Sequence, residues 1–270
     1  MLEPYFQEWR VKKMSKEQKA DFALIGGTGL SDSNLLSNSV DHIVKTKYGD
    51  VAVKIGEFEG KKICFLARHG SGHSVPPHLI NYRANIMALK ELGVTEVIAT
   101  AAVGSLNEKM GPNHFVISDQ FLDFTKTRAT TFHDGGPEGV VHLDVTEPYN
   151  EEVRDFLINA IIEVKKENSE VEFHERGTYV TCEGPRFETP AEIKMFKMLG
   201  GDLVGMTSVP ECILAKEAGL KYANISYVTN FAAGISKHKL SHQEVLDATA
   251  DNFDNLQSII FKAFALMSKS

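Results

Sequence analysis

Seven short apolar runs, several of them almost wholly apolar, recur along this chain, and they limit its fold more than any other feature. They occupy residues 22–25, 51–55, 63–66, 97–101, 115–118, 179–181 and 223–228. A run that is apolar at successive positions, without alternation, suits a strand buried on both faces. Between the runs lie stretches with helical spacing. Residues 80–92 carry apolar side chains at helical intervals and stop at Gly93, a C-terminal cap. Residues 151–167 repeat the amphipathic pattern. Thr189-Pro190-Ala191-Glu192 reads as a capping box with proline at the first helical position, so a helix opens there. Ser241-His242-Gln243-Glu244 opens a long final helix, which is expected to bury Val245, Leu246, Phe253, Leu256, Ile260, Phe264 and Met267. Strands alternating with helices predict a three-layer αβα sandwich with a mixed, largely parallel central sheet.

Composition narrows the class. The 270 residues divide into a polar N-terminal extension (1–20, with Tyr5, Phe6 and Trp9 among its charges) and one domain over 21–270. A net charge of −7 disfavours a nucleic-acid partner, which needs a basic surface. No apolar run is long enough to span a bilayer, and residues 1–20 lack the apolar core of a signal peptide. Cys64, Cys182 and Cys212 form no Cys-x-x-Cys pair, which argues against a zinc site or a disulfide framework. A reduced, cytoplasmic setting without a membrane partner is expected.

In sandwiches of this kind ligands gather at the carboxyl ends of strands, so the residues just after each run matter most. Gly26-Gly27-Thr28-Gly29-Leu30 offers backbone N–H groups and a hydroxyl to an anion, though a tight turn explains it equally well. It completes neither a dinucleotide fingerprint nor a Walker A motif. Arg68-His69-Gly70-Ser71-Gly72-His73 sets a guanidinium fork among glycines, suited to phosphate. A metal at His69, His73 and His78 ranks well below an anion, because no carboxylate lies nearby in sequence. Ala102-Val103-Gly104-Ser105-Leu106 allows a ligand, or a packed helix, close to the backbone. Cys182-Glu183-Gly184-Pro185-Arg186-Phe187-Glu188 is a polar loop whose aromatic residue favours recognition over a plain turn. Asn230 ends the last run as a directional hydrogen-bonding group or a turn residue. From the residues alone, the reading is an α/β enzyme for a small anionic ligand.

These segments, in this order, resemble the trimeric purine nucleoside phosphorylase and methylthioadenosine phosphorylase family. The resemblance rests on Gly26 to Leu30, Arg68 to His73 with Asn81-Tyr82-Arg83-Ala84-Asn85, Gly104 to Leu106, Glu183 to Thr189, Gly205 to Glu211, and Thr229-Asn230. It implies attack of inorganic phosphate on ribose C1′ as a purine leaves, with no metal and no cofactor. Phosphate is the co-substrate. It further implies that Thr28, Arg68, His69, the Ala101-Ala102 backbone and Thr207 hold phosphate. Met206 lies along the ribose, Phe187, Glu188, Asn230 and Ala232 surround the base, and Asn230 relieves the charge of the leaving group. At position 101 the chain departs from the methylthioadenosine enzymes, with alanine in place of a hydroxyl residue. The assembly implied is a homotrimer or a dimer of trimers, with His142 resembling a residue that reaches a neighbouring subunit's site.

Two residues choose between the branches of that family. The methylthioadenosine branch carries aspartate in place of Asn230 and a small residue in place of Glu188. The pair seen here matches the 6-oxopurine branch. Hypoxanthine and guanine present N1–H, which a carboxylate accepts, whereas adenine presents a bare lone pair. His242, before Glu244-Val245-Leu246, resembles a residue that bonds the ribose 5′-hydroxyl. The expectation is therefore a 6-oxopurine nucleoside phosphorylase acting on inosine and guanosine. The alternatives are a 5′-methylthioinosine phosphorylase and, further off, a 5′-methylthioadenosine phosphorylase. A non-catalytic nucleotide-binding module and a nucleoside hydrolase are the rivals from other classes.

Overall fold

The computed structural model describes residues 19–27, 36–136, 139–235 and 242–269, with backbone alone at 242–247, 249 and 251. Its elements run β1 (Phe22–Gly26), β2 (Ser37–Thr46), β3 (Gly49–Phe58), β4 (Lys61–Ala67), α1 (Tyr82–Glu91), β5 (Glu96–Ser105), β6 (Phe115–Ile117), β7 (Gln120–Phe124) and α2 (Glu151–Glu167). Then come β8 (Phe173–His174), β9 (Thr178–Cys182), α3 (Pro190–Met198), β10 (Leu203–Gly205), α4 (Ser208–Glu217), β11 (Lys221–Phe231) and α5 (His242–Met267). The strands join one sheet in the order β2-β3-β4-β1-β5-β10-β9-β7, with β11 on the other edge of β5, β6 beside β11 and β8 beside β6. Parallel and antiparallel pairs mix, as the alternation of strands and helices implies.

The apolar runs become strands because both sides of the sheet are covered. Along β1, Ala23 and Ile25 face a core shared with α1 and α4, where Met87, Leu89 and Leu214 lie. Phe22 and Leu24 face the opposite core, where Leu157 and Ile161 of α2 meet Ile260 and Phe264 of α5. Each fully buried aliphatic side chain of this kind contributes roughly 1.5–3 kcal/mol relative to exposure. The helix ends obey their sequence signals. Asn81 caps α1 by accepting from Ala84 N, and Asn150 caps α2 by accepting from Val153 N. Thr189 and Glu192 complete the reciprocal capping box of α3.

Some elements carry no sequence signal of the expected kind. Strand β2 lies at the sheet edge and is mostly exposed, and its polar residues interrupt Val40, Ile43 and Val44, so no apolar run marks it. Strand β10 has three residues, too few to register as a period. Helix α4 opens on Ser208-Val209-Pro210, with Val209 in a non-helical conformation. In α5, Leu256, Ile260, Phe264 and Met267 are buried, while Phe253 is only half-buried. Ser241 and the side chains of Val245 and Leu246 lie outside the described residues.

Candidate active site

The site arises where one strand loses its partner. Strand β5 pairs with β11 along its whole length. On its other edge, β1 pairs with residues 96–99, and antiparallel β10 pairs with Gly104 and Ser105. The two neighbours approach from opposite directions and stop short of each other. Beside the gap lies a cavity of about 370 Å³, within the usual size of a small-molecule site. Gly27, Arg68 and His69 line it, together with Ala101 to Gly104 of β5 and with Met206 and Thr207 after β10. Thr229 and Asn230 enter from β11, Ala232 from just after it, and Phe187 and Glu188 from the loop after β9. Gly205 is required where β10 ends, because a Cβ there would sit 2.0 Å from the Tyr179 hydroxyl.

One end of the cavity is built for an anion, in a way that differs from the sequence expectation. Arg68 is almost fully buried. Its Nε and Nη2 each donate to the Glu211 carboxylate at 2.6 Å, and its Nη1 donates to Thr100 O at 3.0 Å. The fork expected to grip phosphate therefore grips Glu211, leaving one N–H on each terminal nitrogen. Tyr222 donates to Glu211 at 2.8 Å, and Gly27 N donates to Thr100 Oγ1 at 3.0 Å. Burial works against the guanidinium charge, but Glu211 more than offsets it and holds the Arg68 pKa above its ordinary value. The glutamate lies inside the Gly205 to Glu211 segment, so the signal was present in sequence. Its role needed the contact across 143 residues of chain.

His69 contributes a lone pair. Its Nδ1 lies 2.9 Å from Val75 O, which can only accept, so Nδ1 carries the hydrogen. Burial, aided by Arg68, lowers its pKa to about 4. The ring is therefore neutral near pH 7, and Nε2 is an acceptor. His73 stacks on it at 4.2 Å between ring centroids and also lines the cavity; His78 does not. Thr28 lies outside the described residues, although Gly27 before it lines the site.

The opposite end is set for a flat polar group. Thr229 Oγ1 lies 2.7 Å from Asn230 Oδ1, and Asn230 Nδ2 donates to Phe231 O at 2.9 Å. The backbone carbonyl can only accept, so these contacts fix which way the amide faces and leave a second Nδ2 hydrogen for a ligand. Gly104 keeps the approach open: a Cβ there would lie 3.3 Å from Val204 Cγ1 and 3.5 Å from Asn230 Nδ2. Glu188 is 9 % exposed, and its Oε1 has no hydrogen-bond partner among the described residues. An unpaired buried carboxylate oxygen is costly unless a ligand completes it. Burial pushes the Glu188 pKa up.

The remaining expected residues have varied places. Phe187 stands 40 % exposed, and Ala232 lines the cavity with no exposure to solvent. Met206 lines the cavity; its sulfur would be 2.6 Å from a Cβ on Gly184, whose φ of +68° also favours glycine. Arg186 does not line the site but pairs with Glu192 of α3 at 2.7 Å. His142 is exposed away from the cavity. His242 begins α5, and its side chain lies outside the described residues. Together the groups suit an elongated ligand, anionic at one end and flat and polar at the other.

The chain matches known proteins over most of its length. The family model described as the phosphorylase superfamily matches residues 21–265. A probable 6-oxopurine nucleoside phosphorylase of Thermococcus kodakarensis is 52% identical, covering 92% of both chains. The 6-oxopurine nucleoside phosphorylase of Pyrococcus furiosus is 48% identical over 92% of this chain and 93% of its own. An S-methyl-5′-thioadenosine phosphorylase of Nitrosopumilus maritimus is 43% identical, covering 90% of each. Among solved structures, methylthioadenosine phosphorylase from Schistosoma mansoni in complex with adenine superposes with a TM-score of 0.88 at 36% identity, covering 93% of each chain.

Proposed function

The chain belongs to the phosphorylase superfamily, and on that premise we propose that it is a 6-oxopurine nucleoside phosphorylase. It splits inosine and guanosine with inorganic phosphate, giving the free base and ribose 1-phosphate. The relatives named for 6-oxopurine nucleosides support this reading, being more similar than those named for methylthioadenosine. The observation that carries it is the pair at the base end. The unpartnered Glu188 Oε1 accepts N1–H of a 6-oxopurine, and the oriented Asn230 amide donates to N7 or O6. Adenine would set its N1 lone pair against the carboxylate.

The two ends of the cavity divide the chemistry. Phosphate sits against the remaining N–H groups of Arg68, the backbone near Gly27, Ala101 and Ala102, and the Thr207 hydroxyl. Thr28 belongs to the same set. The bare Nε2 of His69 suits the single hydroxyl of hydrogenphosphate. A phosphate oxygen attacks C1′, the glycosidic bond breaks, and the sugar passes through an oxocarbenium-like state stabilised by the adjacent anion. The electron pair leaves on the purine, and the Asn230 N–H relieves it at N7. Met206 flanks the ribose, Phe187 covers the base, and His242 serves the 5′ group. Phosphate is the only co-reactant. We place the enzyme in the cytoplasm as a homotrimer or dimer of trimers. Exposed Val140, Met198 and Leu199 supply apolar surface for assembly.

Base release from inosine is expected only with phosphate, with ribose 1-phosphate formed in equal amount. Release without phosphate would indicate a hydrolase, and no release from any purine nucleoside would indicate a binding module.

Glu188 also sets a pH dependence. Its carboxylate is the accepting form, and its pKa is raised, so activity on inosine should fall as pH drops through a point above the ordinary glutamate range. Stability runs the other way. A group that holds its proton more tightly when folded stabilises at low pH and loses that contribution as pH rises through the folded pKa. Glu188→Gln should therefore abolish the acid limb of kcat/KM while raising the Tm of the free enzyme at neutral pH. An unchanged limb in the variant would assign the titration elsewhere.

A further inference from the structure

Arg128 lies on the stretch after β7, outside every sequence motif that points to a ligand, and its side chain is 2 % exposed. Its Nη1 is within hydrogen-bond distance of Met206 O (2.7 Å), Val209 O (2.9 Å) and the Tyr82 hydroxyl (3.0 Å). Its Nη2 donates to Glu183 O (2.7 Å) and Cys182 O (3.1 Å). Tyr82 in turn donates to Pro77 O at 3.1 Å. Met206 and Pro77 line the cavity, and Cys182 and Glu183 are the root of the loop that carries Phe187 and Glu188.

The guanidinium therefore binds the backbones of two cavity walls directly, at Met206 and at the Cys182-Glu183 loop root, and reaches a third at Pro77 through the Tyr82 hydroxyl. The tie is reciprocal: the Glu183 carboxylate accepts from Lys126 N (2.6 Å) and Thr127 Oγ1 (2.7 Å), fixing the stretch that delivers Arg128. Its own closest approach to Arg128 is 3.8 Å, at Nε. Carbonyl dipoles thus carry most of the solvation of this buried charge. A lysine ammonium, with its donors on a single nitrogen, cannot span such a set.

We infer that Arg128 is a positioning residue of the nucleoside site, holding the base-reading loop and the ribose ledge in register with each other. The inference rests on the nucleoside reading of the site. Phosphate should feel it less, because Arg68 and His69 are anchored independently through Glu211, Thr100 and Val75, and only Thr207, between the bound Met206 and Val209, is shared.

The test is steady-state kinetics on Arg128→Lys and Arg128→Ala, with nucleoside and phosphate varied separately. Misplacement of the reading loop should raise nucleoside KM on the order of 10- to 100-fold and phosphate KM by about threefold at most. Millimolar guanidinium should restore part of the activity of Arg128→Ala, which a general structural defect would not allow. If the alanine variant fails to fold, Glu183→Gln, which loosens the strap on Arg128, should show the same split more weakly. Unchanged nucleoside KM in the folded variants, or equal rises for both substrates without rescue, would overturn the inference. Wild-type enzyme that releases no base from any nucleoside would remove the reading beneath it and the inference with it. An active wild type with unaffected variants would overturn the inference alone.

Discussion

Glu211→Ala is expected to unfold at a temperature on the order of 10 °C below the wild type and to lose phosphate-dependent activity. Breaking a buried ion pair from one side typically costs about 3–5 kcal/mol, because the other charge is left uncompensated. Here both charged side chains have no solvent exposure, and the abandoned partner is Arg68. For a chain of this size, each kcal/mol corresponds to roughly 2–4 °C. The double variant Glu211→Ala with Arg68→Met should recover much of the stability, since no buried charge then remains. It should recover none of the activity, because the anion end has lost its cation. Calorimetry and phosphate KM read the two effects separately. A Glu211→Ala protein with wild-type Tm and phosphate KM would show that the pair does not organise this end of the site.

The second large effect concerns the base. Glu188→Ala combined with Asn230→Asp should lower kcat/KM for inosine by roughly 10²- to 10⁴-fold and raise it for 6-aminopurine nucleosides. The carboxylate that accepts N1–H is gone, and an aspartate at 230 accepts from the exocyclic amine that an oriented asparagine cannot serve. Changing Glu188 alone should lower inosine turnover without creating adenosine turnover, because Asn230 would still present its N–H. If inosine turnover survives the double change, these residues do not read the base.

Legibility in the sequence differs between fold and site. The apolar runs sufficed for β1, β4, β5, β6, β9 and β11, because strands covered on both faces must be apolar throughout, and for β3, which buries Val51, Val53 and Ile55 and leaves Ala52 exposed. Edge strand β2 is mostly wet and carries no such mark. The segments lining the cavity were visible because they come directly after strands, but their partnerships were not. Arg68 looked like a free fork; its carboxylate lies 143 residues away in the chain and was identifiable only through the contact. Thr229 stood beside Asn230 in the sequence, yet its effect on the amide depends on a bulge between Val228 and Asn230 that no local pattern announces. Arg128 had no signal at all, since all its acceptors but the Tyr82 hydroxyl are backbone carbonyls, which every residue possesses.

The central claim is that Glu188 and Asn230 select a 6-oxopurine. It is tested most directly by measuring kcat/KM with saturating phosphate for inosine, guanosine, adenosine, 5′-methylthioinosine and 5′-methylthioadenosine on the wild-type enzyme. A site built around N1–H should favour the 6-oxopurine member of each pair by roughly 10⁴-fold or more, whatever its 5′ group. Turnover of adenosine or methylthioadenosine equal to or above that of the matching 6-oxopurine would contradict the claim.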